Sequence, residues 1–384
     1  MAFLITATMY LSWIEIIFSV ILCIYLLTFL LVFIGWQKLP EIKPDKLEEF
    51  VTVSVIVAAR NESNTLPHLL NDLFKQEYPD EYYDIIIIDD HSDQPVSRLN
   101  EVRFYKGNNL KVFELPKDKQ GKKQALLEGI KKSSSELILF TDADCQMEPL
   151  WIYAFAREYI QNSPELIIGL TDYESKPGFL QGFFRTDLIS LVISGAGTAS
   201  LGHATLCNGA NLAVRRDSFN RYASGHKMHI SSGDDVYLLH AIKKHSRKAI
   251  SVLKSKNAVV HTSPPENIRE FLNQRIRWSS KGINYSDTDT IFLALVVYLT
   301  NLVMLLSLVF CLFDLLRWHA FFILLAIKIF ANSLVLIPGF QFFGRMKKMY
   351  LFPVYEMLYP FYAVITPIMG IFKTYTWKGR KGKA

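Results

Sequence analysis

Cysteine is scarce in this sequence, and what there is does not pattern. Cys23, Cys145, Cys207 and Cys311 stand far apart without metal-ligand spacing, and two of them fall inside long apolar runs, which excludes a disulfide framework and a zinc site. Charge of one sign is equally thin. A net +6 over 384 residues is accounted for by small basic groups beside apolar segments, so no nucleic-acid partner is expected. Charge is nearly missing from residues 9–34, where Glu15 is the single charged side chain. That run exceeds the roughly 20 residues a bilayer-crossing helix needs, and it lacks a basic start and a small-residue cleavage site, so it reads as a retained anchor.

What is present in excess is apolar surface: 50% hydrophobic residues and a mean hydropathy of +0.18. Three further apolar segments, Thr290 to Phe313, Ala320 to Ile337 and Tyr350 to Phe372, crowd the end of the chain. The organisation expected is an anchor over 1–37, a charged linker over 38–50 that hinges the domain, a soluble domain over 51–288 with an interfacial helix near 266–284, a membrane region over 289–376, and a basic tail over 377–384. Lys38, Lys43 and Lys46, then Arg345, Lys347 and Lys348, then Lys378, Arg380, Lys381 and Lys383 all ask for the cytoplasmic side. Pro353, Pro360 and Pro367 predict that the last apolar segment is broken, re-entrant or interfacial. Lys328 and Glu356, ionisable groups within apolar segments, are expected to pair with each other.

The soluble part alternates apolar strands with helical periodicity: a strand over 51–57, leucines at helical spacing from Leu66 to Leu73, a strand over 84–88, a third over 111–115, a helix over 122–131 and a strand over 137–140. Such alternation implies an α/β fold with right-handed crossovers and a mostly parallel sheet, whose ligands bind at the carboxyl ends of the strands. Acidic clusters stand at two such ends. Asp89 and Asp90 follow one strand; Asp142 and Asp144 follow another, two apart and therefore on one face of an extended chain. Two converging carboxylates suit a hard divalent cation that keeps positions open for substrate phosphates.

The ordered series VSVIVAARNES, IIIIDDHSD, GKKQALLEG, LFTDAD, GANLAVRR, SGDDVYLLHAI and QRIRW, spread over residues 51–282, resembles the motifs of membrane-bound family 2 glycosyltransferases with the GT-A fold, including cellulose and hyaluronan synthases and ceramide glucosyltransferase. The resemblance implies that Ala58, Glu62, Asp89 and Asp90 hold the base and ribose of a nucleotide sugar, with Lys122 near the diphosphate. It implies Mg2+ or Mn2+ on Asp142 and Asp144. Asp235 stands where the general base stands, with Asp234 replacing the usual glutamate before it. Gln274, Arg277 and Trp278 match Q-x-x-R-W, three residues on one helix face that would grip diphosphate and floor the acceptor site. Gly209, Asn211, Arg215 and Arg216 match an element near acceptor and donor sugar. Leu127 departs from the pattern, which often has asparagine there.

The expected activity is inverting, metal-dependent transfer from a nucleotide sugar, UDP-linked by resemblance, to a lipid or lipid-linked acceptor. The setting is an integral membrane protein with a cytoplasmic catalytic domain, in the inner membrane if the source is bacterial. The rival readings are a processive polysaccharide synthase subunit acting on a glycan, with partner subunits or a second copy completing a pore, and a non-catalytic nucleotide-sugar-binding membrane protein.

Overall fold

The computed structural model describes residues 2–43, 47–222, 234–282, 284–372, 375–377 and 380–382. The chain opens with helix α1 (Ala2–Lys38) and then runs β1 (Val53–Ala59), α2 (Leu66–Leu73), β2 (Tyr83–Asp89), α3 (Asn100–Arg103), β3 (Leu110–Glu114), α4 (Lys122–Lys132), β4 (Leu137–Asp142), β5 (Cys145–Met147), α5 (Trp151–Asn162), β6 (Leu166–Gly169) and β7 (Thr171–Tyr173). It continues through α6 (Phe179–Ser200), β8 (Leu212–Arg215), α7 (Arg216–Tyr222), α8 (Asp234–His245), β9 (Ile250–Leu253), β10 (Val260–Thr262), α9 (Ile268–Gly282), α10 (Thr288–Leu312), α11 (Trp318–Phe342) and α12 (Phe352–Phe372), closing on the antiparallel pair β11 (Tyr375–Trp377) and β12 (Arg380–Gly382).

Among the described residues, seven strands form the main sheet in the order β3-β2-β1-β4-β8-β6-β9, parallel throughout except for β8. The central strands are apolar at successive positions because both faces are covered. Along β4, Ile138 and Phe140 enter one core while Leu137 and Leu139 enter the other, and β1 divides in the same way around Ile56. Each face thus takes alternate side chains of the same strand. The crossed order places the ends of β1, β2 and β4 side by side, and ligands of open α/β sheets bind at that edge.

One of the two cores is shared with the membrane helices. Tyr25, Phe29, Val32 and Trp36 of α1 and Ala331, Val335 and Phe340 of α11 pack in the same cluster as Ile56, Ile138 and Leu212 of the sheet. Helix α6 makes the join, and it does so through glycine. A Cβ on Gly35 would lie 2.1 Å from the Gly197 carbonyl oxygen, and one on Gly339 would lie 2.6 Å from Ile189. At the start of the linker expected over 38–50, Ile42 N–H donates to the Lys254 carbonyl at 2.8 Å, and the Lys254 ammonium donates to the carbonyls of Trp36 at 3.2 Å and Leu39 at 3.1 Å.

Among the described residues, four helices are long and apolar enough to cross a membrane. The break expected in the last of them is absent: α12 is one continuous helix with Pro360 and Pro367 inside it. Pro353 falls in its first turn, where no intrahelical donor is needed. The helix is held along much of its length by α9, with Tyr362 against Phe271 and a Cβ on Gly370 only 3.1 Å from the Ser280 nitrogen. The Lys328 and Glu356 side chains do meet. Asn332 Nδ2 donates to the same Glu356 oxygen at 2.6 Å, and the Tyr25 hydroxyl donates to Asn332 Oδ1 at 2.5 Å.

Breaking one side of this pair strands a buried charge, whereas replacing both sides does not. Lys328→Met is therefore expected to cost about 3–5 kcal/mol of stability, and Lys328→Met with Glu356→Leu to recover most of it. Thermal unfolding of both purified variants in detergent checks this.

Candidate active site

Three strand ends meet at one level. Ala58 lies opposite Asp142 on one side and Ile88 on the other, and Ala59 lies opposite Asp89. The loops beyond are laced together: Asn61 Nδ2 donates to Asp93 at 3.1 Å while Asp93 N–H donates back to Asn61 Oδ1 at 2.9 Å. Asp89 is spent on this loop, its two oxygens accepting the amides of Ser92 at 3.0 Å and Val96 at 2.9 Å. Asp90 Oδ2 accepts Gly121 N–H at 3.0 Å and so pins the start of α4. Gly121 has φ +93°, a backbone that favours glycine. Glu62 caps the approach to α2, accepting from the Thr65 hydroxyl at 2.6 Å. His91, at φ +56°, shapes the turn and its ring meets the Lys119 carbonyl at 3.0 Å.

Asp142 ends β4, and Asp144 lies in the turn to β5. The Thr262 hydroxyl of β10 donates to Asp144 at 3.3 Å. Burial, together with the neighbouring Asp142 carboxylate, pushes the Asp144 carboxyl above its usual range. The Lys122 ammonium at the head of α4 pairs with Asp142, the side chains being 35% and 34% exposed. Burial alone would lower the Lys122 pKa, but Asp142 and then Asp235 raise it, against an opposing pull from Arg277. Residues from α4, β4, α8 and α9 therefore share one electrostatic field. Among the described residues no three His, Cys, Asp or Glu side chains gather as a metal site, so the Asp142 and Asp144 pair stands by itself.

Asp235 is held in the first turn of α8 by the amides of Gly209 and Val236, each at 2.9 Å. The glycine matters here, because a Cβ on residue 209 would lie 3.3 Å from the carboxylate oxygen. Asp234 begins the same helix; its side chain, and the Ser232 and Gly233 before it, lie outside the described residues.

On α9, one continuous helix, Gln274, Arg277 and Trp278 meet different neighbours. Arg277 acts on Lys122, whereas Gln274 and Trp278 gather around Arg275, a residue inside the motif that the sequence reading passed over. Arg275 donates to Gln274 Oε1 at 2.6 Å, and its guanidinium lies 4.2 Å from the Trp278 ring centroid. Its Nε donates to Asp187 of α6 at 2.6 Å, and the Tyr362 hydroxyl of α12 donates to the other Asp187 oxygen. Asp187 was also missed. Its signal was a lone acid in the apolar stretch 177–202.

Two matches to the expected pattern fall away from the site. Because β8 runs antiparallel to β4, Arg215 pairs with Leu137 at the amino end of that strand. Arg216 there donates to the Ser135 carbonyl at 2.8 Å. Asn211 is a buried structural clamp, donating to the Leu170 and Ala258 carbonyls at 2.8 Å and accepting from Trp151 at 2.9 Å.

Asp235 and Trp278 stand on the wall of a cavity of about 790 Å³ that continues between α6, α10 and α12. Ile291 and Leu295 of α10 and Ile368 and Ile371 of α12 line it and are also 39–60% exposed, so on that side the cavity wall is made of residues that also reach the outer surface of those two helices. Cys207 lines it beside Asp235, and burial pushes its thiol well up, leaving it an apolar wall.

Residues 54–222 match the family model described as Glycosyl transferase family 2. Over that stretch the chain carries a glycosyltransferase family 2 domain. The chain is 22% identical over 225 residues to the glycosyltransferase AglE of Haloferax volcanii, a match covering 59% of this chain and 71% of AglE. It is 29% identical over 124 residues to the poly(ribitol-phosphate) beta-N-acetylglucosaminyltransferase TarP of Staphylococcus aureus, covering 32% of this chain and 38% of TarP. It is 33% identical over 108 residues to the poly-beta-1,6-N-acetyl-D-glucosamine synthase of the same species, covering 28% and 24%. The chain thus spans well under half of these last two relatives. A solved mannosyltransferase, PcManGT from Pyrobaculum calidifontis in complex with GDP-Man and Mn2+, aligns over 94% of this chain and 99% of its own, with a TM-score of 0.60 at 16% identity. That likeness identifies the GT-A fold.

In this glycosyltransferase the Asp187 and Arg275 pair is expected to act on Trp278 rather than on the donor. Asp187→Asn should reduce transfer about 10- to 100-fold through misplacement of the α9 face, with the donor KM changed less than about threefold. Initial rates across donor concentrations separate the two effects.

Proposed function

We propose that this glycosyltransferase is membrane-anchored, metal-dependent and inverting, and that it moves a sugar from a nucleotide sugar to a lipid or lipid-linked acceptor at the cytoplasmic face. The observation that carries the acceptor is the position of Asp235: this carboxylate lines an apolar cavity whose wall on the α10 and α12 side is isoleucine and leucine that also reach the outer surface, and we take the acceptor's path to run between those helices. A water-soluble acceptor has no use for such a path.

In this reading the acceptor hydroxyl is presented to Asp235, whose oxygens are aimed by the Gly209 and Val236 amides. The carboxylate takes the hydroxyl proton as the oxygen attacks the anomeric carbon. The attack comes opposite the leaving diphosphate and inverts the centre in one step. Lys122 and Arg277 stand on the side where that diphosphate departs, and cations there stabilise the charge it acquires. Ala58, Glu62 and the Asp89–Asp90 loop form the nucleotide's seat, with Asp89 shaping the loop rather than reaching the ligand. Asp142 and Asp144 fit a divalent cation: two carboxylates are held close enough that one raises the pKa of the other, and hard cations favour such oxygen pairs. When bound there, Mg2+ or Mn2+ neutralises charge building on the leaving group.

Sidedness rests on the basic loop after α11. Lys348 donates to Ser175 of the catalytic domain at 2.8 Å, and Arg345 approaches Asp172 at 3.4 Å, so this positive cluster lies on the domain's side of the membrane helices, the cytoplasmic side by the charge rule. The domain limits given above follow the same plan.

The test is label transfer by membranes containing the protein from a panel of UDP- and GDP-linked sugars, with organic-soluble product separated from high-mass aqueous product. Label in the organic phase supports the reading. Label in aqueous polymer makes the chain a processive synthase.

A further inference from the structure

Helix α12 has the length and composition of a membrane span, but its contacts hold both of its ends on the side of the catalytic domain. The first end follows the loop in which Lys348 reaches Ser175, and the Tyr355 hydroxyl donates at 3.1 Å to the carbonyl of Phe179, where α6 leaves the domain. The last end is held by α9. A Cβ on Gly370 would lie 3.1 Å from the Ser280 nitrogen and 3.4 Å from the Ile276 carbonyl oxygen, and β11, just beyond α12, packs against α9 as well. Helix α9 is itself tied to the domain: the Tyr173 hydroxyl of β7 donates to Gln274 at 3.1 Å, and the Tyr237 hydroxyl of α8 to the Lys281 carbonyl at 3.4 Å.

Helix α10 gives an independent gauge of depth. It leaves the domain where the Thr290 hydroxyl donates to the Thr205 carbonyl at 3.3 Å, and it runs from there to Leu312. A helix of 21 residues is about 31 Å long. If α12 crossed from the domain side, its last turn would therefore stand beside the far end of α10. Instead Pro367, Ile368 and Ile371 share one cavity wall with Ile291, Ala294 and Leu295, from the first turns of α10.

We infer that α12 does not cross the membrane but lies along it, with its outer face docked into the leaflet that faces the catalytic domain. A continuous helix cannot double back, so with both ends on one side it lies flat. Val354, Met357, Leu358, Phe361 and Ile365 recur at helical spacing on one face and are 43–53% exposed. These side chains meet the acyl chains. Tyr355, Tyr359, Tyr362 and Thr366 form another face and line the cavity. A helix lying on a membrane ordinarily turns a charged face to water. Here protein covers that face, Tyr355 packing with Phe183 of α6 and Phe271 of α9, and the composition can stay as apolar as that of a span.

The charges agree. Lys378, Arg380, Lys381 and Lys383 follow α12; a crossing would carry them to the outer side, whereas a flat helix leaves them with the other basic clusters. Among the described residues α1, α10 and α11 are then the crossing helices, and the cavity that holds Asp235 and Trp278 sits at the boundary of leaflet and domain. This placement is independent of the acceptor.

The experiment appends an epitope tag before Met1 or after Ala384 of the full chain and treats sealed vesicles, oriented with the catalytic domain outward, with protease. The tag after Ala384 is expected to be lost together with the domain while the tag before Met1 survives. A tag after Ala384 that survives, in whole or in a protected fraction, overturns the inference. A second measurement uses the untagged chain in bilayers of photoactivatable lipids whose reactive group lies either at the glyceride or at the terminal methyl. Peptides of α12 should be labelled from the glyceride and not from the terminal methyl, because a docked apolar face reaches only about 5–10 Å into the leaflet, while α10 and α11 are labelled from both. Equal labelling of α12 by the two lipids overturns the inference too.

Discussion

Asp235→Asn is expected to leave nucleotide-sugar binding within about threefold of wild type and to reduce transfer by about 100- to 10,000-fold, the range a positioned general base supplies. The asparagine is nearly the same shape and its oxygen can still accept one of the two amides that aim Asp235. What it cannot do is take a proton. Binding measured by titration calorimetry, beside transfer measured with labelled donor, separates the two roles. Transfer surviving in this variant would remove the base assignment and leave Asp235 as a cap on α8.

Chelation of divalent metal, or Asp142→Ala, is the second large effect. Each should lower transfer by at least about 100-fold, the usual loss when one preorganised charge-stabilising group is taken from a transition state. Mn2+ or Mg2+ should restore the chelated wild-type enzyme but not the variant. The Asp142 variant carries a second signature: Lys122 loses the carboxylate that raises its pKa, so the ammonium is left with a weaker anchor and donor binding falls too. Full activity in the presence of chelator would undo the metal role of both Asp142 and Asp144.

The elements that repeat a simple period were legible in the sequence. The strands ending at Asp89 and Asp142 are continuous apolar runs because both sheet faces are covered, and their carboxyl ends coincide as a parallel sheet requires. The Lys328 and Glu356 pair was legible for a different reason: ionisable groups in apolar segments need a partner, and few were on offer. Other parts depended on tertiary geometry that no local pattern encodes. Arg215 and Arg216 matched a motif, yet the antiparallel direction of β8 carries them to the far end of β4. The proline count of α12 argued for a break, but Pro353 sits where a helix tolerates it, and packing against α9 holds the rest continuous. Asp187 and Arg275 lie 88 residues apart, and only the crossing of α6 and α9 brings them under Trp278. The cavity belongs to the same class of feature. Its wall draws on α6, α8, α9, α10 and α12, and no single stretch of sequence shows that these helices enclose one space.

The most direct measurement is a structure of the full chain in a lipid bilayer with an unreactive nucleotide-sugar analogue. The account predicts elongated density passing between α10 and α12, past Leu295 and Ile368, with its polar end within hydrogen-bond reach of Asp235. A glycan strand in that cavity, or a lipid whose head lies away from Asp235, would contradict it.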